Sequence, residues 1–484
     1  AVWEVGSVER GVVRAQPGVV GVVCHAGAAG LGVLGLDALE HGGEGAEGMA
    51  SVGGQRFGCG RGRGVVGDDL SEARVVERLP GNSAVGHNRY STTGETILRN
   101  VQPLFAELNS GGFAMGHNGN LTNALTLRHQ LVREGAICQS TSHTEVILHL
   151  VARSAKPRLI DRFIEALRQI EGAYSLVALT NKKLIGARDP LGIRPLVIGE
   201  LDGAPILASE TCALDIIGAR YVRDVENGEI VVITSEGIES LKPFPPQRPR
   251  PCIFEYIYFA RPDSVIAGKS VYEARKRMGS QLALESPAAA DVIVPVPDSG
   301  VPAAIGLSQA SGIPFELGII RNHYVGRTFI EPTQQIRQLG VKLKHNVNRS
   351  QVAGKRVVLI DDSIVRGTTS VKIVQMVREA GAKEVHMRIA SPPIAHPDYY
   401  GIDTPDPEKL LAATHDLAAM REFIGCDSLA FLSVDGIYPS MGSAGRDPIP
   451  PPFTHHCFTG QSPTPPPARP RPHPPHPPPP RAHP

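Results

Sequence analysis

Apolar residues follow two different rhythms along the chain. Before residue 243 they fall in short strand-like runs among glycines, such as Ser175–Leu179 and Glu229–Thr234. Two stretches there, Thr144–Ala155 and Leu159–Ile170, carry helical spacing instead. Strands and helices mixed in this way predict an α+β layered domain. After residue 251 the elements alternate. Asp291–Pro297 (DVIVPVP) reads as a buried strand, Ala303–Ala310 as a helix, Val357–Ile360 as a strand, and Ser370–Ala380 as a helix closed by Gly381. That alternation predicts a parallel sheet. The breaker-rich Pro243–Pro251 (PFPPQRPRP) between the two regions reads as an interdomain linker.

Gly18–Leu36 runs 19 residues with no charged side chain but His25 when protonated. Six of them are glycine, and Asp37, Glu40 and His41 follow at once. Glycine weakens a helix, so the run reads as a buried strand, a turn and a helix start rather than a membrane span. The chain is 484 residues long with 49 basic and 48 acidic side chains. That near-balance gives no sign of a nucleic-acid-binding face. Seven cysteines form no disulfide framework, which points to a reducing, cytoplasmic compartment. Of the 42 prolines, 17 lie in Pro448–Pro484, where acidic residues are rare and aliphatic ones few, so 446–484 is expected to be a disordered tail.

The strongest chemical signal is VVLIDDSIVRGTTS, Val357–Ser370. An apolar strand ends in two acids, Asp361 and Asp362. A loop through Gly367, Thr368 and Thr369 then opens a helix. Loop amides, a helix N-terminus and threonine hydroxyls make an anion site. The paired acids suit ribose hydroxyls and can hold Mg²⁺ through its waters. Together these are the parts of a 5-phosphoribosyl pyrophosphate (PRPP) site.

This string resembles the PRPP loop of type I phosphoribosyltransferases, in the form found in the glutamine PRPP amidotransferase (amidophosphoribosyltransferase) family. Further stretches match the same family: Gly86–Gly94 (GHNRYSTTG), Gly116–Asn123 (GHNGNLTN), Asp189–Leu196 (DPLGIRPL), Cys252–Ser264 (CIFEYIYFARPDS), Val294–Gly300 (VPVPDSG), Tyr324–Ile330 (YVGRTFI) and Ser391–Pro397 (SPPIAHP). The resemblance runs from residue 16 to residue 445. It implies a leader-like segment over 1–16 and an α+β glutaminase domain of the N-terminal-nucleophile hydrolase type (αββα) over 17–242. After the linker 243–251, it implies an α/β type I phosphoribosyltransferase domain with a parallel sheet over 252–445.

The implied chemistry is the first step of purine synthesis. Ammonia, released from glutamine in the first domain or taken up free, displaces pyrophosphate from PRPP and gives 5-phosphoribosylamine. By resemblance the PRPP positions are Asp361, Asp362, Ser363, Ile364, Val365, Arg366, Gly367, Thr368 and Thr369. Ser299, Asp361 and Asp362 are the Mg²⁺ positions, and Tyr324, Gly326, Arg327 and Thr328 belong to a loop that closes over PRPP. Arg89 is implied to hold the glutamine carboxylate, and Asn118 and Gly119 to form the oxyanion hole. Purine nucleotides are implied as inhibitors and a homo-oligomer as the assembly. Neither a membrane nor a nucleic acid is an expected partner.

The glutaminase half departs from the family. The nucleophilic cysteine position falls on Pro17, which has no side-chain nucleophile. Cys24 has no free α-amine and reads as a packing or turn residue. The His-Arg-Gly-Gln-Glu segment reads His41-Gly42-Gly43-Glu44-Gly45, and Ser-Asp-Thr-Glu reads Ser142-His143-Thr144-Glu145. The missing aspartate is implied to pair with the substrate ammonium; its loss costs about 1.5–3 kcal/mol of glutamine binding. A working synthase half fed by free ammonia is therefore expected, with a non-catalytic PRPP- or nucleotide-binding paralogue as the alternative. Many members also hold an iron–sulfur cluster on four cysteines. Here Cys252 and Cys457 remain, while Asp398 and Thr454 stand at the other two positions, so no cluster is expected. His396, His455 and His456 lie near these positions without a standard zinc spacing.

Overall fold

The computed structural model describes residues 18–42, 46–54, 56–62, 78–79, 81–89, 97–322, 345–401, 407–443, 445 and 452–467.

The first half is a four-layer αββα arrangement. One sheet has seven antiparallel strands in the order Arg220–Asp224, Val197–Leu201, Ala204–Ala208, Gly18–Val22, Ser83–Arg89, Ala46–Gly53 and Arg56–Gly62. The other has six: Gly237–Leu241, Ile230–Thr234, Leu184–Arg188, Gly172–Thr180, Gly111–Leu121 and Leu104–Leu108. Val19, Val85, Ala114, Val177, Leu207 and Val231 fill the space between the sheets. Helices Ala28–Ala38 and Thr211–Ile217 cover the first sheet, and His143–Arg153 and Leu159–Leu167 cover the second. Central strands buried on both faces need apolar residues at successive positions, which is why Gly172–Thr180 lacks polar alternation. The run Gly18–Leu36 becomes a buried strand, an exposed turn and a helix, as its glycines imply.

The second half carries a four-stranded parallel sheet in the order Val292–Pro295, Arg356–Asp361, Glu384–Ile389 and Ser428–Phe431. Val358 and Ile360 face helices Val271–Glu285 and Val301–Ser311. Val357 and Leu359 face helices Thr368–Glu379 and Leu417–Ile424. The parallel pairing puts the strand ends, and the loops that follow them, on one edge. Residues 243–251 form no regular element and are mostly exposed. The halves share a core, because Ala173 and Ile193 of the first pack in the main cluster of the second.

The expected tail is corrected here. Residues 452–467 do not hang free: Phe453, Thr454, His455, His456, Cys457 and Phe458 are buried, and His456–Thr459 form a helical turn. The proline content of Pro448–Pro484 masked six residues with enough aromatic and sulfur surface to pack. Phe458 lies 5.7 Å from Phe254, and Phe453 lies 6.3 Å from Tyr256, ring to ring. Residues 468–484 lie outside the described residues.

Candidate active site

The phosphate-loop motif folds as its composition implies. Strand Arg356–Asp361 ends at the acid pair, and helix Thr368–Glu379 starts after Gly367. Gly367 sits in the left-handed region with φ 74°, and a Cβ there would lie 2.7 Å from Leu411. Lacking a side chain, it leaves the first-turn amides of the helix to face the loop, where an anion would be held. Ile364 and Val365 are only 4% and 7% exposed and pack into the core on either side of the sheet. They can offer a ligand only their backbone; the polar side chains of the loop come from Asp361, Asp362, Ser363, Arg366, Thr368 and Thr369.

The acid pair is electrostatically loaded. The Asp361 carboxylate accepts the Asp362 N–H at 2.9 Å, and the Ser363 hydroxyl donates to Asp362 at 2.5 Å. Burial and the neighbouring Asp362 charge push Asp361 well above the usual carboxylate range. Burial also raises Asp362, against hydrogen bonds from Ser299 and Ser363 and the positive charge of Arg275. Burial, and after it the charges of Asp362 and Asp361, push the Tyr258 phenol up. Two crowded carboxylates beside a serine hydroxyl form a hard oxygen set that a divalent cation would relieve, so the residues present fit Mg²⁺. Tyr324, Gly326, Arg327 and Thr328 lie outside the described residues.

The second site lies in the first half. Asn118 and Gly119 sit on strand Gly111–Leu121, with Asn118 only 1% exposed. Gly119 has φ 137°, and a Cβ there would lie 2.3 Å from the carbonyl oxygen of Ala173. Only glycine fits that conformation and that approach. The Asn118 amide is held at both ends: Nδ2 donates to Ser209 Oγ at 3.2 Å, and Oδ1 accepts from Arg194 Nη2 at 3.3 Å. Ser209 Oγ also accepts the Val19 N–H at 2.9 Å, and Asn88 Oδ1 accepts the Gly18 N–H. The strand leading out of position 17 is thus tied through Ser209 to the strand that carries Asn118. Pro17 itself lies outside the described residues, as do Gly43, Glu44, Gly45 and the side chain of Arg89.

Strand pairing settles the place of Cys24. Gly18 pairs with Asn88, so Arg89 lies at the position-17 end of the strand. Cys24 lies beyond the other end, exposed, at φ 63°, next to His25, whose N–H donates to the Asn82 carbonyl oxygen. The five extended residues Gly18–Val22 alone span about 17 Å, which sets Cys24 far from the Gly18 end. His143 opens helix His143–Arg153, and the next residue, Thr144, places its hydroxyl 3.5 Å from Nδ1 of His117, the neighbour of Asn118. Burial lowers His117 to about 3, and the His143 charge adds to the effect.

Several residues with no assigned role in the sequence join the two sites. Arg194 pairs with Glu255, both nearly solvent-free, across the boundary between the halves. Glu255 begins a π-helical turn, Glu255–Phe259, that includes Tyr258. Arg275 braces this turn by donating to the carbonyl oxygens of Tyr256 at 2.9 Å and Ala260 at 2.7 Å. His41 lies 3.3 Å from Glu210, and its Nε2 also contacts the Phe259 carbonyl oxygen at 3.1 Å. Both motifs containing the Arg194–Glu255 pair were visible in the sequence, but the contact spans 61 positions and exists only in the fold.

Comparisons with known proteins agree with this geometry. A glutamine amidotransferase domain matches residues 87–215 and a phosphoribosyl transferase domain matches residues 264–391. The amidophosphoribosyltransferase of Rhizobium etli is 62% identical over 92% of this chain and 91% of its own length. That of Bacillus subtilis is 46% identical over 92% of this chain and 94% of its own length. The solved structure of the B. subtilis glutamine PRPP amidotransferase, complexed with ADP and GMP, superposes with a TM-score of 0.87 at 45% identity, covering 92% of this chain and 97% of that one.

Proposed function

The chain belongs to the amidophosphoribosyltransferase family, and we propose that it forms 5-phosphoribosylamine and pyrophosphate from PRPP with free ammonia as its nitrogen source. The observation that carries this reading is the intact acid-pair loop Asp361–Thr369, whose two buried carboxyls crowd each other, beside a glutaminase site whose nucleophile position reads Pro17.

The loop amides, Ser363, Thr368 and Thr369 bind the 5-phosphate, and the Asp361–Asp362 pair holds the ribose hydroxyls. Asp361, Asp362 and Ser299 would hold Mg²⁺, which when bound would supply charge neutralisation for the leaving pyrophosphate. Tyr324, Gly326, Arg327 and Thr328 close over the substrate and exclude water while the C1 centre carries positive charge. In the first half, Arg89 retains carboxylate recognition, and Asn118 with Gly119 retains the oxyanion donors. His143, standing in place of an ammonium-binding aspartate, and Pro17 remove the rest of glutamine chemistry. The reading includes purine nucleotides as inhibitors, a homo-oligomer as the working form and a cytoplasmic location. Among the described residues no helix is long and apolar enough to cross a membrane, and all seven cysteines are unpaired.

The test is PRPP-dependent pyrophosphate release with Mg²⁺, run in parallel with ammonium chloride and with glutamine. Release with ammonium alone supports the proposal. Release with glutamine means that the nitrogen-donor reading is wrong. No release with either favours the non-catalytic paralogue.

A further inference from the structure

The four positions at which the family resemblance implies cluster cysteines meet at the junction of the two halves. Cys252 and Cys457 are buried there, and Thr454 forms a parallel β-bridge to Cys252. Asp398 completes the group. Its Oδ1 lies 2.7 Å from Nε2 of His456, with both side chains 2% exposed. Its Oδ2 accepts the N–H groups of Tyr400 at 3.2 Å and Gly401 at 3.0 Å. The His456 ring stacks on Tyr399 at 5.9 Å and meets the edge of Tyr400 at 4.8 Å. The Tyr400 hydroxyl bonds to Ser462 and Thr464 further along the same segment.

This donor set does not fit an iron–sulfur cluster. Two thiols, a carboxylate already engaged by an imidazole and two amides, and a threonine whose hydroxyl donates to the Arg250 carbonyl oxygen do not supply four thiolates. Among the described residues no group of three or more His, Cys, Asp or Glu side chains is placed to hold a metal ion. The surrounding bonds close the joint instead. The Cys457 carbonyl oxygen accepts the N–H groups of Ala395 and His396, and Thr454 bonds through its backbone to Pro251 and Ile253. Asn120, two residues beyond the oxyanion donor Asn118, donates to the Tyr399 carbonyl oxygen at 3.1 Å.

We infer that the Asp398–His456 contact is a metal-free latch: it holds segment 452–464 across the linker end, the 394–400 segment and the first half, and the chain matures without a cluster. The pair is buried, and the contacts around it are polar and directional, so losing one partner leaves a buried polar group without its hydrogen bond. Cys252 and Cys457 are ordinary packing residues in this joint.

The experiment uses full-length protein purified in air from iron-replete cells, then treated anaerobically with iron and sulfide. Metal and acid-labile sulfide analysis should find fewer than about one iron, and equally little zinc, per ten chains before and after treatment. Thermolysin should spare residues 452–464 in the metal-free protein. Cys252→Ala and Cys457→Ala should keep that protection and the ammonium-dependent activity within about twofold. Asp398→Asn and His456→Gln should each speed cleavage in the segment by at least tenfold, on the order expected for a broken buried hydrogen bond. The double variant should be no worse than the more damaging single one. Stoichiometric metal, loss of the segment in either cysteine variant, or unchanged cleavage in Asp398→Asn and His456→Gln each overturns the inference. Should the latch variants fail to fold, the metal analysis and the cysteine variants still decide it.

Discussion

Arg194 donates to Asn118 with one amino group and pairs with Glu255 through the other, so a residue of the second half sets the hold on a buried amide of the first. Both members of the ion pair are almost fully buried. Burial pushes Glu255 up to about 7 against the pull of Arg194, so the pair lives on close contact and not on solvent.

Breaking this pair from one side is therefore expected to be worse than removing it whole. Arg194→Met should cost about 3–5 kcal/mol of stability, while Arg194→Met with Glu255→Leu should recover part of the loss. Urea denaturation of the two variants beside the parent chain measures this. A double variant no more stable than Arg194→Met would show that the pair's charges are not what matters.

The acid pair has opposite consequences with and without a cation. A carboxyl whose pKa is raised by folding keeps a proton that the unfolded chain has released, so metal-free stability falls as pH rises above the ordinary carboxylate value of 3.8. Asp361→Asn should therefore melt higher than the parent at neutral pH without Mg²⁺, and gain less on adding it. PRPP turnover with ammonium should fall at least about 100-fold in the same variant. Melts with and without Mg²⁺ check the first two points and pyrophosphate release the third.

His41 and Glu210 define a pH window of their own. Burial lowers the His41 pKa, but the Glu210 charge and hydrogen bond outweigh it and the net shift is upward. Burial raises Glu210, but His41, Arg261 and Ser264 together bring it below its ordinary value. The His41 contribution is full below 6.5 and lost as pH rises through its raised value; the Glu210 contribution is full above 4.5 and lost as pH falls through its lowered one. His41→Gln should flatten the stability profile on both sides of that interval. Melting curves from pH 4 to 9 would show no change in shape if the pair were inert.

Replacing Pro17 by cysteine should not by itself restore glutamine use. His143 still lacks a charge to pair with the substrate ammonium, a deficit of about 1.5–3 kcal/mol or roughly 10- to 100-fold in binding. Pro17→Cys should leave ammonium-dependent turnover unchanged and add little glutamine-dependent turnover. Full glutamine activity from that single change would show that positions 42 and 143 matter less than their chemistry implies.

The local parts of this protein are legible in its sequence. Apolar runs of strand length, the helical spacing of 144–155 and 159–170, and the glycine-closed loop after Asp361–Asp362 depend on neighbours within a few residues, and each element appears within a few positions of its expected place. Proline density misled at the other end, because composition averaged over 446–484 hides a six-residue segment whose partners lie about 200 positions earlier. The same limit applies to the sites. The acid pair could be read from adjacent residues, but the clamp of Arg194 on Asn118, the hold of Arg275 on the turn at Tyr256 and Ala260, and the seating of His456 on Asp398 are contacts between distant segments. Such contacts form only when buried charges and amides must find partners inside a shared core, and the three-dimensional packing of the two halves decides which partners they find.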